Sequence, residues 1–377
     1  MSVSFRYANL GDYDRISQFL DEHWAKNHIY VRDRSLFDWT FTRPGQWTED
    51  GYSFALAEDG SELVGILGGI PFGFNTFGKR SQGVWIVNYA MRPDHRRGSG
   101  AFQLLSMFRK DAFSVVIASG LNPATTVIYR VLRGLVLPET PRRFVVLPGA
   151  EERMADLLRL TYPDWPRERA LNLSQAFRVD RMEVNNIRTG NTIPERWDEL
   201  DWPEIAAQTV GAVRDSDYLR WRYLRHPSFE YRVVTLPEGL RTGLAVWRLE
   251  TIVRDTGQRL ESVDCIGRLV EFLPASNVNA GPLLQALLQQ VHAAGALGLD
   301  FYGYHGAGGR LLQESGFRAA DSHPDGAMIP SRFQPLDGQG GAMLNAMFQK
   351  ESLPCCTAAE DCAWYWTKSD SDQDRPN

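Results

Sequence analysis

The chain has 377 residues, 43% of them hydrophobic and 23% charged, with a net charge of −5. The length points to two domains in an ordinary soluble globular protein, and the mildly acidic balance argues against nucleic acid as the main partner. No run of about 18 apolar residues occurs, so no membrane span is expected.

The opening residues have no apolar core of a signal peptide, and the four cysteines (Cys265, Cys355, Cys356, Cys362) lack Cys-x-x-Cys spacing, so a reducing, cytoplasmic setting is expected. In chain order, the pattern predicts an edge strand at 3–7. A helix follows at 10–27, with Ile16, Phe19, Leu20 and Trp24 on one face. A second helical piece is expected at 35–41. Residues 52–56 and 63–70 read as a hairpin turned at Glu58-Asp59-Gly60. The run Val84, Trp85, Ile86, Val87, Tyr89 reads as a buried strand. Phe102, Leu105 and Phe108 then stand at helical spacing. A short strand at 114–118, a helix at 122–132 opened by Pro123 and a strand at 143–147 complete the first half.

The segment 83–108 organises the rest. A strand, a basic loop with two glycines and a helix together make an anion site. Free N–H groups at a helix start converge on one spot, the helix dipole adds positive charge, and glycine lets a phosphate approach the backbone. Neither G-x-G-x-x-G nor a closing Gly-Lys-Ser/Thr is present, which excludes a dinucleotide fingerprint and a P-loop.

What the stretch resembles is the acyl-CoA loop of the GNAT acyltransferases, Gln/Arg-x-x-Gly-x-Gly/Ala, which follows their fourth strand. The six residues here are His95, Arg96, Arg97, Gly98, Ser99 and Gly100, with His95 at the Gln/Arg position. If Arg96 is the anchor instead, the loop is one residue short. Further on, Asn122, Ile128-Tyr129 and Gly134-Leu135 resemble the family's Asn, Leu/Ile-Tyr and Gly-Phe. The Gly falls one residue late, and Leu replaces Phe. The element order over 1–150 is similar to a GNAT domain, and that span is the expected first domain.

Residues 151–200 read as a bridge, with a helical piece at 151–162. The chain then repeats itself. LFDWTFTRP around Trp39 corresponds to YLRWRYLRHP around Trp221, and a comparable strand, helix and strand series follows, ending in Gly316-Phe317. The expected fold is therefore α/β with a mixed sheet, built from two tandem GNAT-like domains, the second over 201–335. The second loop, LPASNVNAG, has no Arg or Lys and no Gly-x-Gly, so this copy is expected not to bind CoA. Residues 336–377 read as a tail. Asp370, Asp372 and Asp374 alternate in it as in a calcium loop, but without the Gly and distal Glu of one, so a solvated acidic terminus is expected.

The resemblance implies an acetyl-CoA or other acyl-CoA cosubstrate and a small amine acceptor. It assigns the pyrophosphate to His95, Arg96, Arg97, Gly98, Ser99, Gly100 and Ala101, pantetheine to the backbone of Tyr89, Ala90 and Met91, and the leaving sulfur to Tyr129, with Asn122 beside it. The general base is not legible: the strand before the loop offers only Asn88. Water or a carboxylate from the second half, Asp264 or Glu271, is the expectation. No metal spacing is seen among the histidines. The paired domains also resemble acyltransferases of amino-sugar and surface-polysaccharide synthesis, which makes a nucleotide-linked amino sugar one expected acceptor, and a homodimer one expected assembly. Two alternatives stand beside this: a FemX-like transferase using aminoacyl-tRNA, and a non-catalytic interaction protein.

Overall fold

The computed structural model describes residues 3–43, 45–48, 50–96, 99–109, 113–179, 182, 189–237, 243–338, 343–350, 353 and 363–375. The first half runs β1 (Ser4–Asn9), α1 (Tyr13–His23), α2 (Ile29–Arg32), α3 (Arg34–Phe41), β2 (Gly51–Asp59), β3 (Glu62–Thr76), β4 (Lys79–Met91), α4 (Gly100–Arg109), β5 (Val115–Leu121), α5 (Pro123–Val131), β6 (Leu135–Leu137) and β7 (Arg142–Val146). Helices α6 (Glu151–Thr161), α7 (Arg167–Ala176) and α8 (Trp202–Gln208) lead onward. The second half holds β8 (Val210–Ala212), α9 (Ser216–Leu219), β9 (Tyr231–Val234), β10 (Leu244–Asp255), β11 (Leu260–Leu273), α10 (Asn277–Ala293), β12 (Gly298–His305), α11 (Gly306–Glu314) and β13 (Arg318–Ala319). The hairpin β14 (Arg332–Phe333) and β15 (Leu336–Asp337) follows, then β16 (Leu344–Gln349) and β17 (Trp364–Thr367).

All but the last hairpin join one mixed sheet, in the order β6-β16-β5-β4-β3-β8-β17-β12-β11-β10-β9, with β1 and β2 beside β3 and β7 beside β12. Apolar side chains of both faces are buried, as a central sheet covered by helices on both sides requires. One face of the first half carries Phe37, Phe54, Phe72, Trp85 and Val87 under α1–α3. The other carries Ile86, Met91, Ala118 and Tyr129 with Leu104 and Phe108 of α4. Helix α4 lies close to the strands because glycine makes room for it: a Cβ on Gly69 would sit 2.4 Å from the Phe108 ring, and one on Gly100 2.7 Å from the Met91 methyl. In the second half, α6, α7 and α10 bury Leu158, Leu173, Leu284 and Leu287 against Trp247, Leu269 and Phe301.

The repeated segments meet face to face. Trp39 and Trp221 stack with ring centroids 4.7 Å apart and planes 16° from parallel. Buried Arg43 lies 4.0 Å over the Trp221 ring and donates to the Pro71 carbonyl at 3.3 Å. The two copies thus contact each other through corresponding positions.

Residues 336–377 are no appendage. Strand β16 pairs antiparallel with β5 and β6, and β17 pairs with β8 and β12. The acidic run is buried rather than solvated, with Asp370, Asp372 and Asp374 at 1%, 6% and 2% exposure. Arginines from the second half explain the difference from the sequence expectation. Arg214 donates to Asp370 at 2.7 Å, Arg248 to Asp374 at 2.6 Å, and the Tyr231 hydroxyl to Asp374 at 2.7 Å. A buried carboxylate is tolerable only with such partners. Cys355, Cys356 and Cys362 lie outside the described residues; Cys265 is a free thiol. Among the described residues, no helix is long and apolar enough to cross a membrane, and no His/Cys/Asp/Glu group could hold a metal.

Candidate functional site

Strands β4 and β5 run parallel over only four residues. Gly83 to Ile86 pair with Val115 to Ala118; beyond that β5 keeps only β16 and β4 keeps only β3 as strand partner among the described residues. A V opens between them. Its β4 side, residues 87–91, has no second strand partner among the described residues, so its outward backbone groups are available to a ligand. Here β4 also bulges: Ile66 pairs with Ala90 and Gly68 with Val87, so Asn88 and Tyr89 together face Leu67. Asn88 takes φ 51, a left-handed conformation that Asn tolerates better than the apolar residues around it. Its side chain is buried, and neither Oδ1 nor Nδ2 has a hydrogen-bond partner among the described residues. A buried, unpaired amide costs roughly 1–3 kcal/mol unless something binds it. The polar residue interrupting the run Val84–Met91 was the sequence signal for this feature; the bulge itself was not legible.

The loop after β4 starts as a short 3-10 turn at Pro93–His95. The His95 ring lies 3.0 Å from Asp94 and 3.5 Å from Asp59, and the hydrogen bond with Asp94 raises its pKa. His95 is therefore engaged by carboxylates. Arg96 is not. Its Nε donates to the Met91 carbonyl at 3.0 Å, which folds it onto the open edge of β4 beside Tyr89, and no described carboxylate pairs with it. Between the two anchors that the sequence left open, the geometry favours Arg96. Arg97 and Gly98 lie outside the described residues. Ser99 is exposed and its carbonyl receives Gln103 N–H at 3.0 Å; Gly100 and Ala101 form the first turn of α4.

Tyr129 lies on α5 and stacks on Phe348 at 5.2 Å, within the cluster that holds Ile86 and Ala118, the last paired residues before the V. Its hydroxyl has no partner among the described residues, and burial pushes its pKa up, so it is protonated at neutral pH. Asn122 is exposed just before α5, where its carbonyl accepts the Thr125 N–H at 2.9 Å and the hydroxyl at 2.7 Å; it seats the helix that carries Tyr129.

The structure does not bring the second-half carboxylates to this place. Asp264 is bound by Arg153, whose Nε donates at 3.0 Å, and four strands lie between β11 and β4 in the sheet. Glu271 is fully buried, held by Arg214 Nε at 2.6 Å and by the hydroxyls of Tyr223 and Tyr365. The side chain of His305 lies outside the described residues.

The second half forms a V of its own, and the chain fills it. Strands β11 and β12 pair only from Gly267 to Leu269, and further along β12 pairs with β17, whose other edge pairs with β8. Lys368 N–H donates to the Tyr302 carbonyl at 3.0 Å, Tyr365 hydroxyl receives Phe272 N–H at 3.1 Å, and Ser369 Oγ reaches the Val270 carbonyl at 3.5 Å. At the following helix start, the Ser276 side chain itself accepts the Asn279 N–H. The corresponding strand edge and helix start of the second half are thus engaged by the protein's own atoms.

A mixed sheet parted between β4 and β5, with a loop leading into α4, is the fold that solved GCN5-related N-acetyltransferases share with this chain. A GCN5-related N-acetyltransferase from Anabaena variabilis matches over 92% of this chain and 72% of its own, with TM-score 0.56 and 11% identity. Saccharomyces cerevisiae N-myristoyltransferase with bound myristoyl-CoA matches over 94% and 80%, at 0.55 and 12%. A probable N-acyltransferase from Enterococcus faecalis matches over 93% and 73%, at 0.52 and 12%. No protein-family model and no curated protein matches the sequence. At such identities the likeness is one of fold.

Proposed function

We propose that the chain is an acyl-CoA-dependent N-acyltransferase that uses the first V as its donor site. The observation that carries this reading is Asn88: a strained, buried, unpartnered amide on a bulge, at the one place where β4 loses its neighbour. Arg96 and the N–H groups at the start of α4 receive the pyrophosphate, and the free edge of 87–91 pairs with pantetheine. The thioester then lies along the V. The acceptor nitrogen attacks its carbonyl carbon, a tetrahedral intermediate forms, and the C–S bond breaks. The Tyr129 hydroxyl, neutral and unpaired, hydrogen-bonds and protonates the departing sulfur. The nitrogen's proton leaves to water, since Asp264 and Glu271 are held by arginines. The acceptor in this reading is a small primary amine; an amino sugar, the class that the sequence resemblance implies, is the first to test.

Isothermal titration with acetyl-CoA and with myristoyl-CoA decides the donor step. Binding by at least one is expected, weakened about tenfold in Arg96→Ala, which corresponds to losing about 1.4 kcal/mol. Absence of binding by both, in protein shown to be folded and free of CoA, ends the proposal.

A further inference from the structure

Between the halves lies a cavity of about 510 Å³, within the range of small-molecule sites. One wall is Gly120 of β5, two residues past Ala118, where the donor V opens. At about 3.4 Å per residue that is about 7 Å along the strand. The opposite wall is second-half sheet and the segment after β17.

The charges in this cavity do not balance locally. Glu250 is held by Arg268 Nε at 2.7 Å and by Arg248 at 2.9 Å, and Asp374 is held by Arg248. Those ion pairs are closed among themselves. Lys368 and Arg332 also line the cavity, and neither has a hydrogen-bond or ion-pair partner for its charged head among the described residues. The Lys368 ammonium lies 5.2 Å over the Tyr302 ring, with Arg268 beside it. Burial and that neighbouring guanidinium lower its pKa to about 8, against the pull of Asp300, Glu250 and Asp374. The ammonium thus feels these carboxylates without a direct ion pair to any of them among the described residues, and the cavity leaves room for an anion beside it. Asp337 also lines the cavity and sets its acidic rim.

We propose that this cavity is the anion subsite of the acceptor: Lys368 and Arg332 bind a phosphate or carboxylate carried by the molecule whose amine is acylated. The assignment rests on the acyltransferase reading above. An acceptor anchored there extends toward Gly120 and presents its amine at the V. Arg268, already tied to Glu250 and Asp300, supplies field rather than a direct bond.

The test uses the full chain and three readouts. Inorganic phosphate and acetate are titrated by tryptophan fluorescence at pH 7 into wild type, Lys368→Gln, Lys368→Arg and Arg332→Gln. Acetyl-CoA and myristoyl-CoA are titrated separately by calorimetry. Ethanolamine, phosphoethanolamine and β-alanine are then compared as acceptors by thiol release. Binding of at least one anion is expected, weakened tenfold or more in Lys368→Gln and in Arg332→Gln, and largely restored in Lys368→Arg. Arg332 is exposed, so its variant melts like wild type. Preference for phosphoethanolamine over β-alanine assigns a phosphate, the reverse a carboxylate. Acetyl-CoA binding with no anion binding, or anion binding equal in all variants, overturns the subsite while the donor site stands. Anion binding without binding of either acetyl-CoA or myristoyl-CoA overturns the acceptor assignment together with the acyltransferase reading.

Discussion

Single residues carry most of the chemistry here, and their protonation follows from what surrounds them. Tyr129 is neutral because it is buried, and its hydroxyl is free because nothing described reaches it. Tyr129→Phe removes one oxygen and keeps the stacking on Phe348. It is expected to lower kcat by about a hundredfold or more, the usual contribution of a general acid, with acetyl-CoA affinity nearly unchanged. Thiol-release kinetics with calorimetry check both halves of that statement; equal kcat removes Tyr129 from the mechanism. The acid limb of stability is also set by residues. Asp374 is held well below the usual carboxylate range by Arg248 despite its burial, and Glu250 is held at about 2 against burial by Arg268 and Arg248. His226 is pushed down to about 3, chiefly by burial, while its Nδ1 accepts two N–H groups of the next turn, from Ser228 and Phe229. All three pKa values are depressed on folding. The unfolded chain therefore binds more protons below its own pKa values, and stability falls with pH. Loss should begin as pH drops below about 6.5, where unfolded histidine titrates, and steepen below about 4 as the carboxylates follow. Urea unfolding between pH 7 and 4 measures this, and a flat profile contradicts the cage.

Elements show why part of the fold was legible and part was not. The long strands and helices of the first half announced themselves by unbroken apolar runs or by helical spacing. Expected 63–70 and 84–89 became Glu62–Thr76 and Lys79–Met91, longer because hydrogen bonding continued past the apolar residues. The loop chemistry singled out the turn after β4, and the polarity of LPASNVNAG set the corresponding turn of the second half apart from it. Strands β8, β16 and β17 carried no such signal. They are three to six residues long, and β16 finds β5 across more than 200 positions of chain. The π-helical turns Trp197–Asp201 and Arg220–Leu224 could not be read either, because they depend on the packing of Trp197 and Tyr223 rather than on local pattern. The tryptophans of the two corresponding segments stack on each other and so tie α3 to the turn at Arg220–Leu224. Trp221→Ala deletes the stack on Trp39 and uncovers Arg43, a buried cation whose pKa burial lowers to about 10. About 2–4 kcal/mol of stability is expected to go, slightly less than for a fully buried aromatic. A melt shift is the measurement, and a change below about 0.5 kcal/mol would place that stack outside the stabilising contacts.

For the whole molecule, strands from distant parts of the chain share one sheet. Among the strands of residues 1–150, β16 lies between β5 and β6 and β8 pairs beside β3, both supplied from beyond residue 200. A fragment ending at Asp337 leaves open edges on β5, β8 and β12, takes Asp370 from Arg214 and Asp374 from Arg248, and removes the Ser369 and Asp374 carbonyls that Arg222 bonds. Such edges pair with other chains, and buried arginines that lose partners are costly. The fragment is expected to aggregate or to lack a cooperative transition, as read by size-exclusion chromatography and circular dichroism. A monomer melting like the full chain would show instead that the halves are autonomous. The acceptor cavity depends on the same residues, because Lys368 and Asp374 come from the segment that follows β17.

The place of Trp364–Thr367 also bears on how the sheet holds together. Among the described residues it is the last strand along the chain, yet it sits in the middle of the sheet order, between β8 and β12. Trp364 and Tyr365 pair with Val210 and Gly211 on one edge, and Tyr365, Trp366 and Thr367 pair with His305, Tyr304 and Gly303 on the other. Four residues thus close the centre of the sheet, and limited proteolysis should find β8 and β12 losing protection together when that strand is weakened.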